Sequence, residues 1–305
     1  MIENIIPGGA EHLQRLAESH STAYQQGNPF PNIVFEDFFK EEFLDEVLAE
    51  FPDLAKRNTI QYENAFEKKF AGRGEQDFGL ATRQFMHFLN SEPFLQFLQK
   101  LTGIEEILIG DPYYIGGGQH EIKRGGLLKI HVDFNKHPKL GLDRRLNVLV
   151  YLNKDWDESY GGHFELWNET MDHCVKKISP KFNTLALFST NHISYHGHPD
   201  PLNCPEEMSR KSLALYYYSN GRPQHEMQIQ QKSHSTLFVE RKTHPEEHSA
   251  FVGLRTKNKV KNTLRALLPE AWIQAFKSKS KDWKFTQLSF VHIHCIICDG
   301  DGQLK

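Results

Sequence analysis

The 305-residue sequence predicts a mainly β, α+β fold. The expected architecture is a double-stranded β-helix core, a cupin-like jelly roll, with supporting helices on one side. Short apolar or alternating runs, separated by Gly, Asn, Asp and Pro, follow one another from 106 to 223. Helical patterns precede this region instead of alternating with its strands, which favours a sandwich or barrel over βαβ units.

The first segment, 1–105, is predicted to supply a strand and helices that pack on the core. After a polar leader, PNIVFEDFF has the pattern of a short strand, and KEEFLDEVLAEF carries its apolar residues on one helical stripe. QDFGLATRQFMHFLN and SEPFLQFLQKLTG predict two further helices. We expect Ser91 to cap the start of the second and Gly103 to end it.

The second segment, 106–223, is the predicted catalytic core. Its strand-like runs are 106–109, 127–132, 146–152, 163–167, 184–188 and 212–219. The third segment, 224–305, is a C-terminal extension with a basic helical stretch. A solvated helix face is the first interpretation of that stretch, and an acidic or nucleic-acid partner is the second.

HIHCIICDGDG, near the C-terminus, brings together four potential metal ligands, His292, His294, Cys295 and Cys298. A CxxC with nearby histidines can bind zinc. Structural zinc sites, however, usually combine two separated pairs of ligands, and here all four lie within one short run. The sequence therefore favours a strand with incidental thiols over a zinc site.

Composition limits the classes of partner and compartment. A net charge of −3 disfavours a general nucleic-acid binder, because proteins that follow a phosphate backbone carry a basic excess. Four cysteines are too few for a disulfide framework, and we expect a cytoplasmic protein. Neither a secretion signal nor an apolar run of membrane-spanning length is visible, so no membrane partner is predicted. Nothing here indicates an oligomeric state.

KIHVDFNKHP, at the end of an apolar run, places a histidine and a carboxylate two residues apart. Side chains i and i+2 of a strand point to the same face, so His131 and Asp133 aim at one point. A local hydrogen bond beside a turn would explain this pair taken alone. Two histidines and one carboxylate on three corners of an octahedron, however, form the iron site of non-haem Fe(II) oxygenases. The pair therefore needs a histidine from another strand.

FSTNHISYHGHPDP offers that histidine. His196 follows a strand-like run and precedes Gly197, which permits close backbone approach. His198 shares its face in an extended chain and is the leading rival, and His192 ranks third.

SRKSLALYYYS places a guanidinium and a hydroxyl on one strand face, at Arg210 and Ser212. The planar fork of arginine suits a carboxylate, and serine adds another donor to the same anion. Ala214, next on that face, leaves room. An acidic cosubstrate anchored here, with its other end on a metal, is the chemistry that this pattern favours.

Four motifs follow one another along the chain in this order: HVDFN, RRLNVLVYLNKDWDESYGGHFELW, SYHGHPDPL and SRKSLALYYYS. Together they resemble the prolyl-4-hydroxylase-like Fe(II)/2-oxoglutarate-dependent dioxygenases. The resemblance implies a hydroxylase that couples oxidation of a C–H bond by O2 to the conversion of 2-oxoglutarate to succinate and CO2. Fe(II), 2-oxoglutarate, O2 and, as a further candidate, ascorbate are the implied cofactors. The substrate is a prolyl residue of a peptide or a small molecule such as an amino acid.

The resemblance also assigns roles to residues of this sequence. It implies iron ligands at His131, Asp133 and His196. It implies contacts to the distal carboxylate of 2-oxoglutarate for Arg210, Ser212 and Tyr151. Gln119 and His120 fall near the position that some relatives use at the metal-binding end of the cosubstrate, although loop polarity is the favoured explanation for both.

Two other functions compete with the oxygenase. A binding or sensory module would keep the metal and the organic acid with little turnover. A zinc hydrolase lacks support, because no glutamate stands beside the metal pair as a helical general base and the pair of Arg210 and Ser212 would have no task.

Overall fold

Helices and strands are segregated along the chain, as the sequence predicts. The computed structural model describes residues 2–227, 233–253 and 256. The described helices are α1 (Ile2–Ile5), α2 (Gly9–Gln25), α3 (Glu41–Ala49), α4 (Leu80–Leu89), α5 (Glu92–Thr102) and α6 (Gln224–Met227). The described strands are β1 (Asn32–Phe35), β2 (Ile60–Glu63), β3 (Glu67–Ala71), β4 (Gly118–Lys123), β5 (Leu127–Val132), β6 (Asp143–Tyr151), β7 (Phe164–Trp167), β8 (Cys174–Ile178), β9 (Thr184–Ser189), β10 (His196–His198), β11 (Ser209–Ser219) and β12 (Leu237–Phe238). All of them lie in the first of the two units, 1–248 and 249–305, into which the chain divides.

The strands of this unit join into one antiparallel sheet. Its order is β1-β9-β6-β11-β4-β3-β5-β10-β7-β8, with β2 beside β3 and β12 beside β5. The two end strands are linked, because Lys176 Nζ of β8 donates to Asn32 Oδ1 of β1 at 2.9 Å. The sheet is therefore a nearly closed barrel, and the predicted fold class is confirmed.

The helices cover one outer face of the barrel. Successive residues of a strand point to opposite sides, so β6, β9 and β11 each present one apolar set outward. This set packs with helical residues in a single core, and its members include Leu146, Val148, Val150, Leu185, Leu187, Leu213 and Leu215. Burying one such side chain contributes roughly 1.5–3 kcal/mol. The opposite faces of the same strands are left to form the interior of the barrel.

Three local predictions for the helical segment and its junction have different outcomes. Gly103 ends α5 with φ +72°, as predicted. Ser91 is the N-cap residue of α5, as predicted, but its side chain does not cap the helix, because its Oγ donates backwards to Phe88 O at 2.6 Å. The predicted strand at 106–109 is also wrong, and only a bridge between Ile109 and Tyr218 remains. The side-chain amide of Gln99 donates to the backbone carbonyls of residues 104–106. These contacts hold the chain in a loop where the strand was expected to begin.

The polar leader of the sequence analysis forms the helix α2. Its buried positions are few, Gly9, Leu13, Ala17 and Tyr24, and mostly polar residues separate them. This narrow stripe packs on α5. Its apolar pattern was too sparse to predict a helix. Among the described residues, no helix is long and apolar enough to cross a lipid bilayer.

Residues 233–248 add to the barrel from beyond the predicted core. In β12, Leu237 pairs with Val132 and Phe238 with His131. Arg241, which is 3% exposed, contacts Asp200 at 2.9 Å and Glu247 at 2.7 Å. The carboxylate of Glu247 also binds Lys129 of β5, at 2.7 Å. A buried ion cluster therefore ties this segment to the strand that carries His131.

We expect Arg241→Ala to lower the free energy of unfolding by about 1.5–3 kcal/mol, because the buried Glu247 carboxylate loses a charge-assisted hydrogen bond and keeps only its contact with Lys129. Urea unfolding of the full chain measures this loss. The control is Lys242→Ala, which changes an exposed neighbour and should leave the midpoint unchanged. Equal stability of the two variants would show that the segment contributes little to the core.

The division of the chain at 105/106 and 223/224 stays a prediction. Strands β3 and β12, which join the barrel, lie on the far sides of these two boundaries. The basic helical stretch is almost entirely outside the described residues, and His292, His294, Cys295 and Cys298 lie wholly outside them.

Candidate metal centre and cosubstrate cavity

Strand pairing brings the two predicted histidines face to face. β5 and β10 are antiparallel, and His131 lies directly opposite His196, with ring centroids 4.4 Å apart. Asp133 follows β5 on the same face as His131. Its Oδ1 lies 3.6 Å from His131 Nε2, and its Oδ2 lies 3.2 Å from His196 Nε2. One ligand atom from each residue lies within 4.8 Å of those of the other two.

Backbone contacts fix the orientation of both imidazoles. His131 Nδ1 donates to Lys129 O at 2.9 Å, and His196 Nδ1 donates to Ser194 O at 2.8 Å. Each Nε2 is then the unprotonated nitrogen of a neutral ring, which is the form that binds metal. Burial and the other histidine also lower the pKa of His131. Two oriented nitrogens and one carboxylate fit Fe(II) with open positions for other ligands.

Two residues that the sequence analysis did not assign hold Asp133 in place. Asn147 Nδ2 donates to Asp133 Oδ2 at 2.7 Å, and Arg144 Nη2 lies 3.1 Å from the same oxygen. Arg144 is fully buried, with its guanidinium over the rings of Phe134 and Tyr216. Burial raises the pKa of Asp133, but the positive charge of Arg144 leads the effects that outweigh it and hold that pKa well below its usual value. The carboxylate is therefore ionised and oriented without a metal.

We expect Asn147→Leu to weaken Mn²⁺ binding by about 10- to 100-fold, the usual cost of losing a hydrogen bond that orients a metal ligand. Isothermal titration of the full chain with Mn²⁺ measures the affinity. Lys139→Ala changes an exposed residue and is the control. An unchanged affinity in Asn147→Leu would mean that Asn147 does not position Asp133.

The metal-ligand candidates open into a cavity of about 330 Å³ inside the barrel. Its polar lining includes His120, His198, Arg210 and Ser212 as well as His131, Asp133 and His196. Its apolar lining includes Ile115, Ile122, Leu128, Phe134, Leu149 and Phe164. The cavity combines a potential metal site, buried donors and an apolar wall, which is typical of a small-molecule site.

Arg210 and Ser212 lie on the cavity face of β11, as predicted, and both are buried. Arg210 Nε donates to Gly162 O at 2.8 Å, and its Nη2 donates to Tyr151 Oη at 3.3 Å. Its guanidinium carbon lies 4.8 Å from the centre of the Tyr151 ring. The guanidinium is thus held from two sides within the cavity. No carboxylate is within 4.0 Å of it among the described residues.

Register explains which other predicted residues join Arg210. Ser212 of β11 lies opposite His120 of β4 and Tyr151 of β6, so these three residues form a row across the sheet. Gln119 is offset by one position, opposite Leu213, and belongs to the other face. It is fully buried and does not line the cavity, and its side-chain amide has no hydrogen-bond partner within the described part of the chain.

The rival histidines occupy different places. His198 lines the cavity but is outside the three-residue cluster of ligand atoms, and His192 is exposed on another surface. Gly197 between His196 and His198 permits the close pairing of β10 with β5, since a Cβ there would lie 2.7 Å from Leu128 O. Burial and Arg210 hold the pKa of His198 well below its ordinary value.

The same part of the chain matches a known family. Residues 118–218 fit the sequence profile of the 2OG-Fe(II) oxygenase superfamily, and this range includes all of the predicted site residues. This part of the barrel therefore resembles the 2OG-Fe(II) oxygenase superfamily. The recognition stated from the sequence is confirmed, as are the expected cofactors Fe(II) and 2-oxoglutarate.

Known proteins resemble parts of this chain. Prolyl 3-hydroxylase OGFOD1 of Mus musculus is 32% identical over 80 residues, which is 25% of this chain and only 14% of the relative. A Trichoplax adhaerens prolyl hydroxylase, solved with a peptide fragment of the hypoxia inducible factor oxygen degradation domain, gives a TM-score of 0.50 at 17% identity. That alignment covers 73% of this chain and 96% of the other, and it supports the fold. A Pseudomonas putida prolyl-4-hydroxylase gives a TM-score of 0.44 at 13% identity, covering 70% of this chain and 100% of its own.

Proposed function

We propose that this protein is a hydroxylase that uses Fe(II), 2-oxoglutarate and O2, with His131, Asp133 and His196 as its metal ligands. The observation that carries the proposal is the cavity in which these side chains converge and which Arg210 and Ser212 also line. When bound, iron would supply the chemistry by which O2 oxidises 2-oxoglutarate to succinate and CO2 and a substrate C–H bond to C–OH.

The chain's own residues bind and orient. His131, Asp133 and His196 would hold the metal, and a three-residue ligand set would leave room for the cosubstrate and O2. Arg210, beside Tyr151 and Ser212, binds the distal carboxylate of 2-oxoglutarate through charge-assisted hydrogen bonds. Such bonds are strong because the site is buried and water competes little for the guanidinium. His120, across the sheet from Ser212, is a further candidate for contact with the cosubstrate.

The apolar wall beside the metal ligands is where we place the substrate C–H bond. The substrate is a prolyl residue of a peptide or a small molecule such as an amino acid. The peptide option draws support from the Trichoplax enzyme, whose structure holds a peptide fragment. The low cysteine content of the chain supports a cytoplasmic location.

The test is Fe(II)-dependent consumption of 2-oxoglutarate by the full chain, read as succinate, first alone and then with proline-containing peptides and free amino acids. We expect basal succinate release that a true substrate stimulates, and none in His131→Ala. Arg124→Ala, which removes an exposed arginine, should keep the wild-type rate. Binding of metal and 2-oxoglutarate without succinate release under any condition would contradict the enzyme and favour a binding or sensory module.

A further inference from the structure

His198 is a buried polar side chain that the proposed site leaves without a partner. It is 3% exposed, and neither of its ring nitrogens has a hydrogen-bond partner among the described residues. By contrast, His131 and His196 each donate a hydrogen bond from one ring N–H to a backbone carbonyl. An unpaired buried donor is costly, and nearly all buried polar groups in proteins have a partner, which includes ligands and ordered water. The missing partner of His198 is therefore a group that enters the cavity.

Its position in the strand directs His198 into the cavity. His196 and His198 are residues i and i+2 of β10, and both line the cavity even though the pairing with β5 shifts between them. Gly197 between them is close to the backbone of β5, which fixes the strand in place. His198 is nevertheless not among the three residues whose ligand atoms cluster. It therefore faces the part of the ligand that lies beyond the metal.

The charges around His198 identify the chemistry of the missing group. Arg210 and Lys69 line the same cavity, and no carboxylate lies within 4.0 Å of the Arg210 guanidinium among the described residues. A second cation has no place there, whereas an anion satisfies the guanidinium and accepts a hydrogen bond from the imidazole. A neutral imidazole has one N–H to donate, and a carboxylate has about four acceptor positions, enough for several donors at once.

We infer that His198 donates a ring N–H to the distal carboxylate of 2-oxoglutarate, the same carboxylate that Arg210 and Ser212 bind. The inference rests on the proposed function, because it requires this cosubstrate in this cavity. His198 is then a cosubstrate-binding residue supplied by the same short strand as the metal ligand His196. The strand β10 thereby supplies a contact at each end of the cosubstrate, His196 at the metal and His198 at the distal carboxylate.

The experiment measures binding of two acids to the full, Mn²⁺-loaded chain by isothermal titration without O2. 2-Oxoglutarate chelates the metal and carries a distal carboxylate, whereas oxalate chelates the metal but is too short to reach beyond it. The variants are His198→Leu, which removes both ring nitrogens at similar volume, and His198→Gln, which retains an N–H donor. His192→Leu, in the same segment but exposed, is the matched control.

We expect His198→Leu to weaken 2-oxoglutarate binding by about tenfold or more, the usual effect of losing a hydrogen bond to a charged group. Its oxalate affinity should equal that of the wild type, and His198→Gln should recover part of the loss. Without 2-oxoglutarate, the thermal midpoint of His198→Leu should equal or exceed that of the wild type, because leucine removes two unpaired polar atoms from the interior.

Three results would overturn the inference. If His198→Leu bound 2-oxoglutarate as tightly as the wild type, His198 would have no role in binding the cosubstrate. An equal loss of oxalate and 2-oxoglutarate affinity would place His198 at the metal end. Poor folding of both His198 variants would assign it a structural role. Failure of the wild type itself to bind 2-oxoglutarate is a different outcome, since it would refute the proposed function and this inference with it.

Discussion

His196→Ala is expected to lose Mn²⁺ and Fe²⁺ affinity by well over about 100-fold, the upper end for residues that only support a ligand. The side chain supplies one of two imidazole nitrogens in the cluster with Asp133. Removing it leaves two candidate ligands, and Asp133 keeps its contacts with Arg144 and Asn147. Titration with either metal measures the loss, and succinate release should disappear in parallel.

The informative comparison is His198→Ala, because the sequence leaves these two histidines as rivals. Both are buried in β10, and both line the cavity, so thermal unfolding of the two variants must first show that each is folded. We expect His198→Ala to retain metal affinity within a few-fold. Metal binding that survives in His196→Ala but not in His198→Ala would reverse the ligand assignment.

Arg210→Ala is expected to weaken 2-oxoglutarate binding strongly while metal affinity stays near that of the wild type. Losing one partner of a desolvated, hydrogen-bonded charge pair costs about 2–5 kcal/mol. This corresponds to roughly 30-fold or more in the dissociation constant. Titration of the Mn²⁺-loaded chain with 2-oxoglutarate, and of the metal-free chain with Mn²⁺, separates the two affinities.

Arg210→Lys tests the geometry of the contact. A lysine keeps one charge but not the planar fork, so it should recover only part of the affinity. Arg210 also donates to Gly162 O, and therefore thermal unfolding must show that each variant is folded. A parallel loss of metal and 2-oxoglutarate affinity in a folded Arg210→Ala would contradict the role of Arg210 as an anchor for the acid.

The sequence predicts those parts of the site that follow from the two-residue period of a strand. His131 with Asp133, His196 with His198, and Arg210 with Ser212 are all i and i+2 pairs, and in the structure each pair lines the cavity. The same period predicts the apolar runs of β6, β9 and β11. What it cannot supply is register between distant strands, and so it left open which histidine of β10 lies opposite His131.

Arg144 and Asn147 show why other site residues were missed. They are three residues apart, so in a regular strand they would face opposite sides. The pairing of β6 with β11 shifts between Tyr217 and Tyr218, and such a bulge redirects the side chains beyond it. Both residues consequently reach Asp133. A bulge depends on the pairing with the partner strand, so the residue pattern of β6 alone does not predict it.

Long-range contacts also decide the role of residues 233–248. The two residues of β12 carry no recognisable strand pattern, and they pair with β5 because Arg241 and Glu247 hold the segment against Lys129. Gln119 shows that closeness in the sequence does not guarantee a shared site. It is adjacent to His120 in the sequence but faces the other side of β4.

The most direct test of the metal centre is a crystal structure of the full chain grown without O2 with Mn²⁺ and 2-oxoglutarate, with the metal located by anomalous scattering. We predict one Mn²⁺ bound by His131 Nε2, His196 Nε2 and the Asp133 carboxylate, chelated by 2-oxoglutarate whose distal carboxylate contacts Arg210. A metal bound elsewhere, or an acid that leaves Arg210 uncontacted, would contradict the account.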